Sequence, residues 1–163
     1  MPSYKTPPLK RHPSLQPLSR DHYVGLVQGR RLIKSGDADP TERRAAVAAF
    51  VDAWHTDIAQ HFADEERLLA PLASPEDRQR LDAEHAHLRE LAAEAKQRRR
   101  LIDPGEAWVV SLGQTLTDHI RWEERTFFPA LESAAGSQLE ALRGEADRLE
   151  ASRPRGRDAN QTR

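Results

Sequence analysis

Two stretches of the sequence, HFADEERLLAP at residues 61–71 and HIRWEERTFFP at residues 119–129, are versions of one phrase. Each has a His, three residues, Glu-Glu-Arg, three more residues and a Pro. Residues four apart on an α-helix lie on one face, so each copy sets a His beside a Glu: His61 with Glu65, and His119 with Glu123. The repeat therefore predicts two equivalent pairs of polar side chains on two helices.

Both pairs continue an apolar stripe, which predicts that they face a core. The stripes are Val47, Phe50, Val51, Trp54 and Ile58 before His61, and Trp108, Val109, Leu112 and Leu116 before His119. Apolar residues at three- and four-residue steps are typical of the buried face of a helix.

Two further histidines occupy stripes of the same kind. His22 lies in the row Leu18, His22, Leu26, Gly29 and Ile33, and His85 in the row Leu81, His85, Leu88, Ala92 and Ala95. Four helices are thus predicted to direct four histidines and two glutamates into one interior.

Burying two carboxylates without partners is very unfavourable, and no Lys or Arg lies at the centres of these stripes. A metal centre is the favoured interpretation, and the alternative is a fully satisfied hydrogen-bonded polar core. Six inward ligands exceed what a closed zinc site needs. Two six-coordinate ions could share these six ligands, with both glutamates and an oxo or hydroxo group as bridges. Such a pair would still have coordination positions open for small molecules. A mixed nitrogen and oxygen donor set suits iron, and manganese less well.

Helix-start signals predict the fold. Ser19, Asp39, Ser74 and Asp103 are candidate caps, and the last three are each followed by Pro and, two residues later, by an acid. They predict helices near 19–35, 40–70, 75–100 and 104–133. The fold class is therefore all-α, an antiparallel up-down-up-down four-helix bundle over residues 15–135, because short connections join antiparallel neighbours. Residues 1–14 are predicted to be an extended arm, 136–152 a short fifth helix, and 153–163 a disordered tail.

The order of His22, His61-x3-Glu65, His85 and His119-x3-Glu123 resembles the hemerythrin-like, or HHE, cation-binding domain over about residues 10–133. The opening RHPSLQPLSRDH is similar to the N-terminal arm of bacterial members. The resemblance implies a non-heme di-iron centre with these six residues as ligands, and O2, H2O2 or NO as the small molecules it meets.

Two positions depart from the oxygen-carrying hemerythrins. Those proteins have a further His where this chain has Arg89, and an Asp ligand where it has Glu124, although the repeat favours Glu123 as the ligand. Tyr23, next to His22, is a candidate substitute ligand or a group close to the metal, since a phenolate binds ferric iron. Glu66 and Glu124, with Arg67 and Arg125, are either surface ion pairs or hydrogen-bond partners of the ligands.

Composition restricts the class of protein. Lys and Arg total 25 against 26 Asp and Glu, a formal net charge of −1, which gives no basis for binding nucleic acid. Cysteine is absent, so any metal is held by His and carboxylate. Neither a signal peptide nor a membrane span is recognisable, and a cytoplasmic location is predicted.

The role of the centre divides into hypotheses of different classes. One is binding of, or enzymatic reaction with, O2, peroxide or NO. Another is an iron or oxygen sensor acting through a protein partner, or an iron-handling protein without turnover. Turnover of peroxide by the metal-loaded protein would distinguish an enzyme from a sensor or carrier.

Overall fold

The computed structural model describes residues 10–153, and the regular structure in that range is helical. The α-helices are α1 (Gln16–Ser35), α2 (Pro40–Ala53), α3 (Ala59–Leu68), α4 (Pro75–Arg98), α5 (Glu106–Trp122), α6 (Phe128–Ala134), α7 (Gly136–Ala141) and α8 (Arg143–Ser152). Two π-helical segments, Trp54–Ile58 and Glu123–Phe127, join α2 to α3 and α5 to α6, and a 3-10 turn, Ala70–Leu72, follows α3. None of the described helices is both long and apolar enough to cross a membrane.

The caps were predicted with mixed success. Asp39 and Ser74 accept hydrogen bonds from the backbone N–H of Glu42 and Asp77, as predicted. The prediction for Asp103 was wrong: α5 begins later, at Glu106 after a glycine with φ 100°. The Asp103 carboxylate instead accepts two hydrogen bonds from Arg43 and one from the Gly105 N–H, and so is not available to cap.

The start of α1 also differs from the prediction. The helix begins at Gln16, with Pro17 in its first turn, rather than after Ser19. The Ser19 hydroxyl lies inside the helix and donates to Glu124 at 2.6 Å. Pro supplies the fixed φ that a helix start needs, so no side-chain cap is required there.

The helices pack as a bundle. Helix α1 packs against α2 and α5, and α4 likewise packs against α2 and α5. The buried apolar side chains fall into two clusters. The first includes Leu32, Phe50, Leu88 and Leu112. The second includes Leu18, Leu68, Leu81, Phe127 and Phe128.

The order of the two clusters reverses from one long helix to the next. Along α1 the chain passes Leu18 of the second cluster before Leu32 of the first, and along α4 it passes Leu81 before Leu88. In the runs α2–α3 and α5–α6 the first cluster comes before the second. On all four runs the predicted ligands lie near the point where one cluster gives way to the other, so the polar residues form a layer between two apolar ones.

The face that α1 turns to its neighbours differs from the predicted stripe. His22, Gly25, Gly29 and Leu32 are buried, whereas Leu26 is 38% exposed. The glycines let α1 lie close to α5: a Cβ at Gly29 would stand 2.4 Å from Thr117 Oγ1. Because the bulkier side chains cannot enter so close a contact, Leu26 lies on the outside.

The segment predicted as one fifth helix is two, α7 and α8, which meet at Leu142. Helix α8 packs against α1. Of the predicted arm, only residues 10–14 lie in the described range, where Arg11 and Ser14 are buried. The prediction for residues 1–9, and the predicted tail beyond Arg153, lie outside the described residues.

Candidate metal centre

All six sequence-predicted residues lie together in the polar layer, and each is almost completely buried. His22 comes from α1, His61 and Glu65 from α3, His85 from α4, His119 from α5, and Glu123 from the first position of the second π segment. Their relative exposures run from 0% for Glu65, His85 and Glu123 to 5% for His61.

The six side chains form two overlapping groups of possible metal ligands. One group is His22, His61, Glu65 and Glu123, and the other is Glu65, His85, His119 and Glu123. Within each group the ligand atoms lie within 4.8 Å of one another. Both glutamates belong to both groups, as bridging carboxylates would, and each group adds two histidines of its own.

The inward-facing atoms have no hydrogen-bond partners. Among the described residues, eight of the ten buried side-chain nitrogen and oxygen atoms without such a partner belong to these six residues. They are the four Nε2 atoms and the four carboxylate oxygens of Glu65 and Glu123. Several lie close together, as do His61 Nε2 and Glu65 Oε1 at 3.0 Å, but without hydrogen-bond geometry. Buried polar atoms are normally paired, so this concentration is the pattern expected of a site that could hold a cation.

The other nitrogen of each histidine is held by an outer carboxylate. Nδ1 lies 2.6 Å from Glu124 in His22, 3.0 Å from Asp21 in His61, 2.8 Å from Glu66 in His85, and 2.7 Å from Glu84 in His119. A carboxylate accepts, so Nδ1 carries a proton in either protonation state, and Nε2 is the nitrogen that would bind a metal once its own proton has left. This is the usual arrangement around metal-ligating histidine.

Each outer carboxylate is in turn paired with an arginine. Glu66 accepts from Arg89 at 2.7 Å and Glu84 accepts from Arg80 at 2.8 Å, and both arginines lie on α4. Glu124 bonds with Arg11 near the N-terminus, and Asp21 with Arg153 after α8. Each outer carboxylate thus has an arginine partner, whereas Glu65 and Glu123 have none within the described residues.

The comparisons with known proteins agree with this geometry. The family model for the hemerythrin HHE cation-binding domain matches residues 24–131, about two thirds of the chain. The chain belongs to the hemerythrin HHE family. No curated protein and no solved structure matches it. The matched region begins just after His22, which is therefore placed in the site by the structure and not by the family match.

In the absence of metal, the six clustered side chains stabilise one another's charged forms. Burial alone would lower the pKa of His85, but the carboxylates of Glu123 and Glu65 raise it to about 10. Burial and Glu123 act likewise on the pKa of His119, with a net rise to about 9. Burial would raise the pKa of Glu65, but His61 and His22 lower it to about 2. The pocket is therefore suited to carboxylates with positive charge between them.

Apolar rings enclose the histidines. Phe62 stacks on His85 with ring centroids 3.9 Å apart, and Phe128 stacks on His22 at 5.4 Å. A cavity of about 10 Å³ lies beside His22 and His61, and its apolar walls include Gly25, Ile58, Phe62, Leu116 and Ile120. That volume is about the space that one water molecule needs.

The remaining predicted positions lie away from the inner cluster. Tyr23 is 72% exposed and belongs to neither group of possible ligands. Arg89, where the oxygen carriers have a His, points to Glu66 at 2.7 and 3.1 Å. His55 and His87 are exposed. Glu124 and Glu66 lie within hydrogen-bond distance of His22 and His85. Of the two interpretations of these acids, surface ion pairs or hydrogen-bond partners of the histidines, the structure therefore shows the second.

Sequence reasoning missed Asp21 and Glu84 as parts of the site. The signal was an acid directly before the first and third histidines, as Asp21-His22 and Glu84-His85. Each acid bonds to the histidine of the following helical run, not to its own neighbour. The two π segments were also missed; such segments frequently occur at functional sites, and one of them begins at Glu123.

Proposed function

We propose that this protein holds two iron ions in the polar layer, with Glu65 and Glu123 bridging them, and that it binds or reacts with O2, H2O2 or NO there. The observation that carries the proposal is the set of eight buried ligand atoms without hydrogen-bond partners, divided into two groups that share both glutamates. The proposal includes an up-down-up-down order of the four helical runs, which the reversal of the two apolar clusters supports.

The donor set favours iron. It combines four imidazole nitrogens with two carboxylates. Such a mixed set suits iron, whereas manganese and magnesium prefer sites with more oxygen ligands. A single structural zinc ion would use four ligands and leave two of the six buried groups unpaired. Iron would supply redox chemistry and open coordination positions, while the protein provides the ligands, the orientation of each imidazole and the exclusion of water.

The surroundings favour a small reactant. The cavity next to His22 and His61 has a volume of about 10 Å³ and mainly apolar walls, which is room for about one water molecule, so it excludes large substrates. O2, NO and H2O2, with two heavy atoms each, come nearest to that size. Besides His22 and His61, the carboxylates of Asp21 and of the half-buried Asp57 line the cavity, so these four groups are the ones placed to exchange protons with a bound molecule.

The experiment is anaerobic loading with ferrous iron, followed by separate additions of O2, H2O2 and NO. A change of the optical spectrum with each reactant, and a Glu65→Gln variant that loses the change, would support the proposal. Catalytic loss of peroxide over many equivalents indicates an enzyme. A stoichiometric and reversible change indicates the alternative, a sensor, carrier or iron-handling protein. A protein that takes up iron but responds to none of the three would contradict the proposed reactivity.

A further inference from the structure

A groove on the outer surface runs between α1 and the α5–π segment and differs in character from the metal centre. Its volume is about 530 Å³. Leu26, Ile33 and Ile120 form its apolar part. Four cations surround them: Arg30, Lys34, Arg121 and Arg125.

None of the four cations forms an ion pair within the described residues, in contrast to the arginines that hold the outer carboxylates of the candidate metal centre. Arg11, Arg80, Arg89 and Arg153 are all tied to carboxylates. Glu124 is the acid among the residues that line the groove, but it already bonds to Arg11, Ser19 and His22. The groove therefore carries a local excess of positive charge on a protein whose formal net charge is −1.

Exposed apolar side chains extend the groove along α1. Tyr23 is 72%, Leu26 38% and Val27 42% exposed. With Arg30 and Lys34 they form a stripe at steps of three and four residues, so the outer face of α1 is apolar at one end and basic at the other. Exposed apolar patches rimmed by polar residues are typical of interaction sites.

We propose that this groove is the docking site for an acidic amphipathic helix of a partner protein. A helix lying in a groove is a common recognition mode, in which apolar residues every three or four positions are inserted and flanking charges set the orientation. Carboxylates on the partner would pair with the four cations, and its apolar face would cover Tyr23, Leu26 and Val27.

Charge and shape favour this occupant over others. A second copy of this chain docked through the same face about a two-fold axis would bring like charges together. A single-chain anionic amphiphile would leave much of the exposed stripe uncovered. A flat lipid surface would not fill a concave groove between two helices.

The groove also contacts the metal centre. Glu124 lines it and bonds Nδ1 of His22 at 2.6 Å, so carboxylates of an occupant that pair with Arg121 or Arg125 change the charge near an outer carboxylate. A docked helix is therefore expected to alter the His22 side of the centre. This coupling rests on the proposed function, whereas the docking itself does not.

The test uses the full metal-free chain and a fluorescently labelled synthetic helix of about 18 residues, about 27 Å long, with Leu at helical spacing and Glu on the flanks. Arg30→Glu is compared with Arg78→Glu, since Arg78 is exposed and lies on α4, away from the groove. We expect saturable binding that weakens with salt, is weakened about tenfold or more by Arg30→Glu, and is nearly unchanged by Arg78→Glu.

Several outcomes would overturn the proposal. They are no binding by the wild-type chain, equal losses in the two variants, or equal binding of a peptide with the same composition in scrambled order. Binding of laurate or of vesicles with an anionic phospholipid, but not of the peptide, would replace the partner helix by a lipid. A dimer in light scattering that Arg30→Glu dissociates would replace it by a second copy. Failure of iron loading would leave the binding result on metal-free protein unaffected.

Discussion

The carboxylate of Asp21 on α1 lies 3.0 Å from Nδ1 of His61 on α3, although its neighbour in the chain, His22, is itself one of the inward-facing histidines. Glu84 does the same for His119 from its place beside His85. The helices are thus cross-linked through the site: each histidine is oriented by an acid from another helical run. Inner ligands and outer acids come from the same few helical turns, so the site is assembled only when the helices pack.

The outer carboxylates are expected to control metal affinity. Glu84→Gln removes the charge facing Nδ1 of His119, so we expect metal binding to weaken about 10- to 100-fold with the helical content unchanged. The matched control is Glu94→Gln, because Glu94 also pairs with an arginine four residues away on α4 but contacts no histidine. Titration of the metal-free variants with ferrous iron measures both. Equal affinities for the two variants would contradict the role assigned to Glu84.

The close contact of α1 with α5 is expected to tolerate no added carbon. In Gly29→Ala the new Cβ would stand 2.4 Å from Thr117 Oγ1 and 3.2 Å from the Gly113 carbonyl oxygen. We expect a loss of about 1–3 kcal/mol in the free energy of unfolding, because the helices must separate. Gly144→Ala on α8 is the control, since a Cβ there meets nothing within 4 Å. Urea denaturation of the two variants compares them, and similar stability would contradict the packing argument.

Metal binding is expected to release protons. With pKa values of about 10 and 9, His85 and His119 are in the charged form, with both ring nitrogens protonated, at neutral pH in the metal-free protein. A metal binds only neutral imidazole, so metal affinity should fall as the pH falls. Calorimetric titration in buffers of different ionisation enthalpy measures the protons released. Identical heats in all buffers would contradict the prediction.

The same two histidines determine how the stability of the metal-free protein changes with pH. Their folded-state pKa values lie above the ordinary value of 6.5, so their contribution to the metal-free protein is fully present below pH 6.5 and is lost as the pH rises through 9 to 10. We expect the free energy of unfolding of the metal-free protein to decrease over this range. The metal-loaded protein, in which protons are replaced, should lack that decrease. Denaturation curves at several pH values test both.

The inner site could be predicted from sequence because its signals are local. A His and a Glu four residues apart on an apolar stripe face the same way whatever the helix packs against. The pattern occurs twice, at His61 and at His119, so each copy supports the other. The two caps at Asp39 and Ser74 were likewise predictable, since each cap and the backbone N–H that donates to it lie within one turn.

The outer parts depend on contacts between distant residues. Arg11 reaches Glu124, 113 positions away, and Arg153 reaches Asp21, 132 positions away, so no local spacing predicts either pair. The Asp103 cap was predicted wrongly for the same reason: Arg43, 60 positions away, takes up its carboxylate. The exposure of Leu26 depended on the glycine contact with α5, which the pattern of α1 alone does not show.

Tyr23 is expected to have no effect on the colour of the metal-loaded protein. Its ring is 72% exposed, so Tyr23→Phe should leave the optical spectrum and the metal content unchanged. A visible charge-transfer band that disappears in Tyr23→Phe would show that the phenolate reaches the metal after all. Tyr4, which lies outside the described residues, provides the control substitution, Tyr4→Phe.

The central claim is that Glu65 and Glu123 serve two metal ions together, and metal content tests it most directly. The wild-type protein and the Glu65→Gln and Glu123→Gln variants are loaded anaerobically with ferrous iron, freed of excess, and analysed for iron per chain. We predict about two irons for the wild type, because each group of ligands supplies two histidines and both carboxylates. We also predict weakened binding of both ions in each variant. A wild-type protein that binds no iron, or a variant that loses one ion and keeps the other at full affinity, would contradict it.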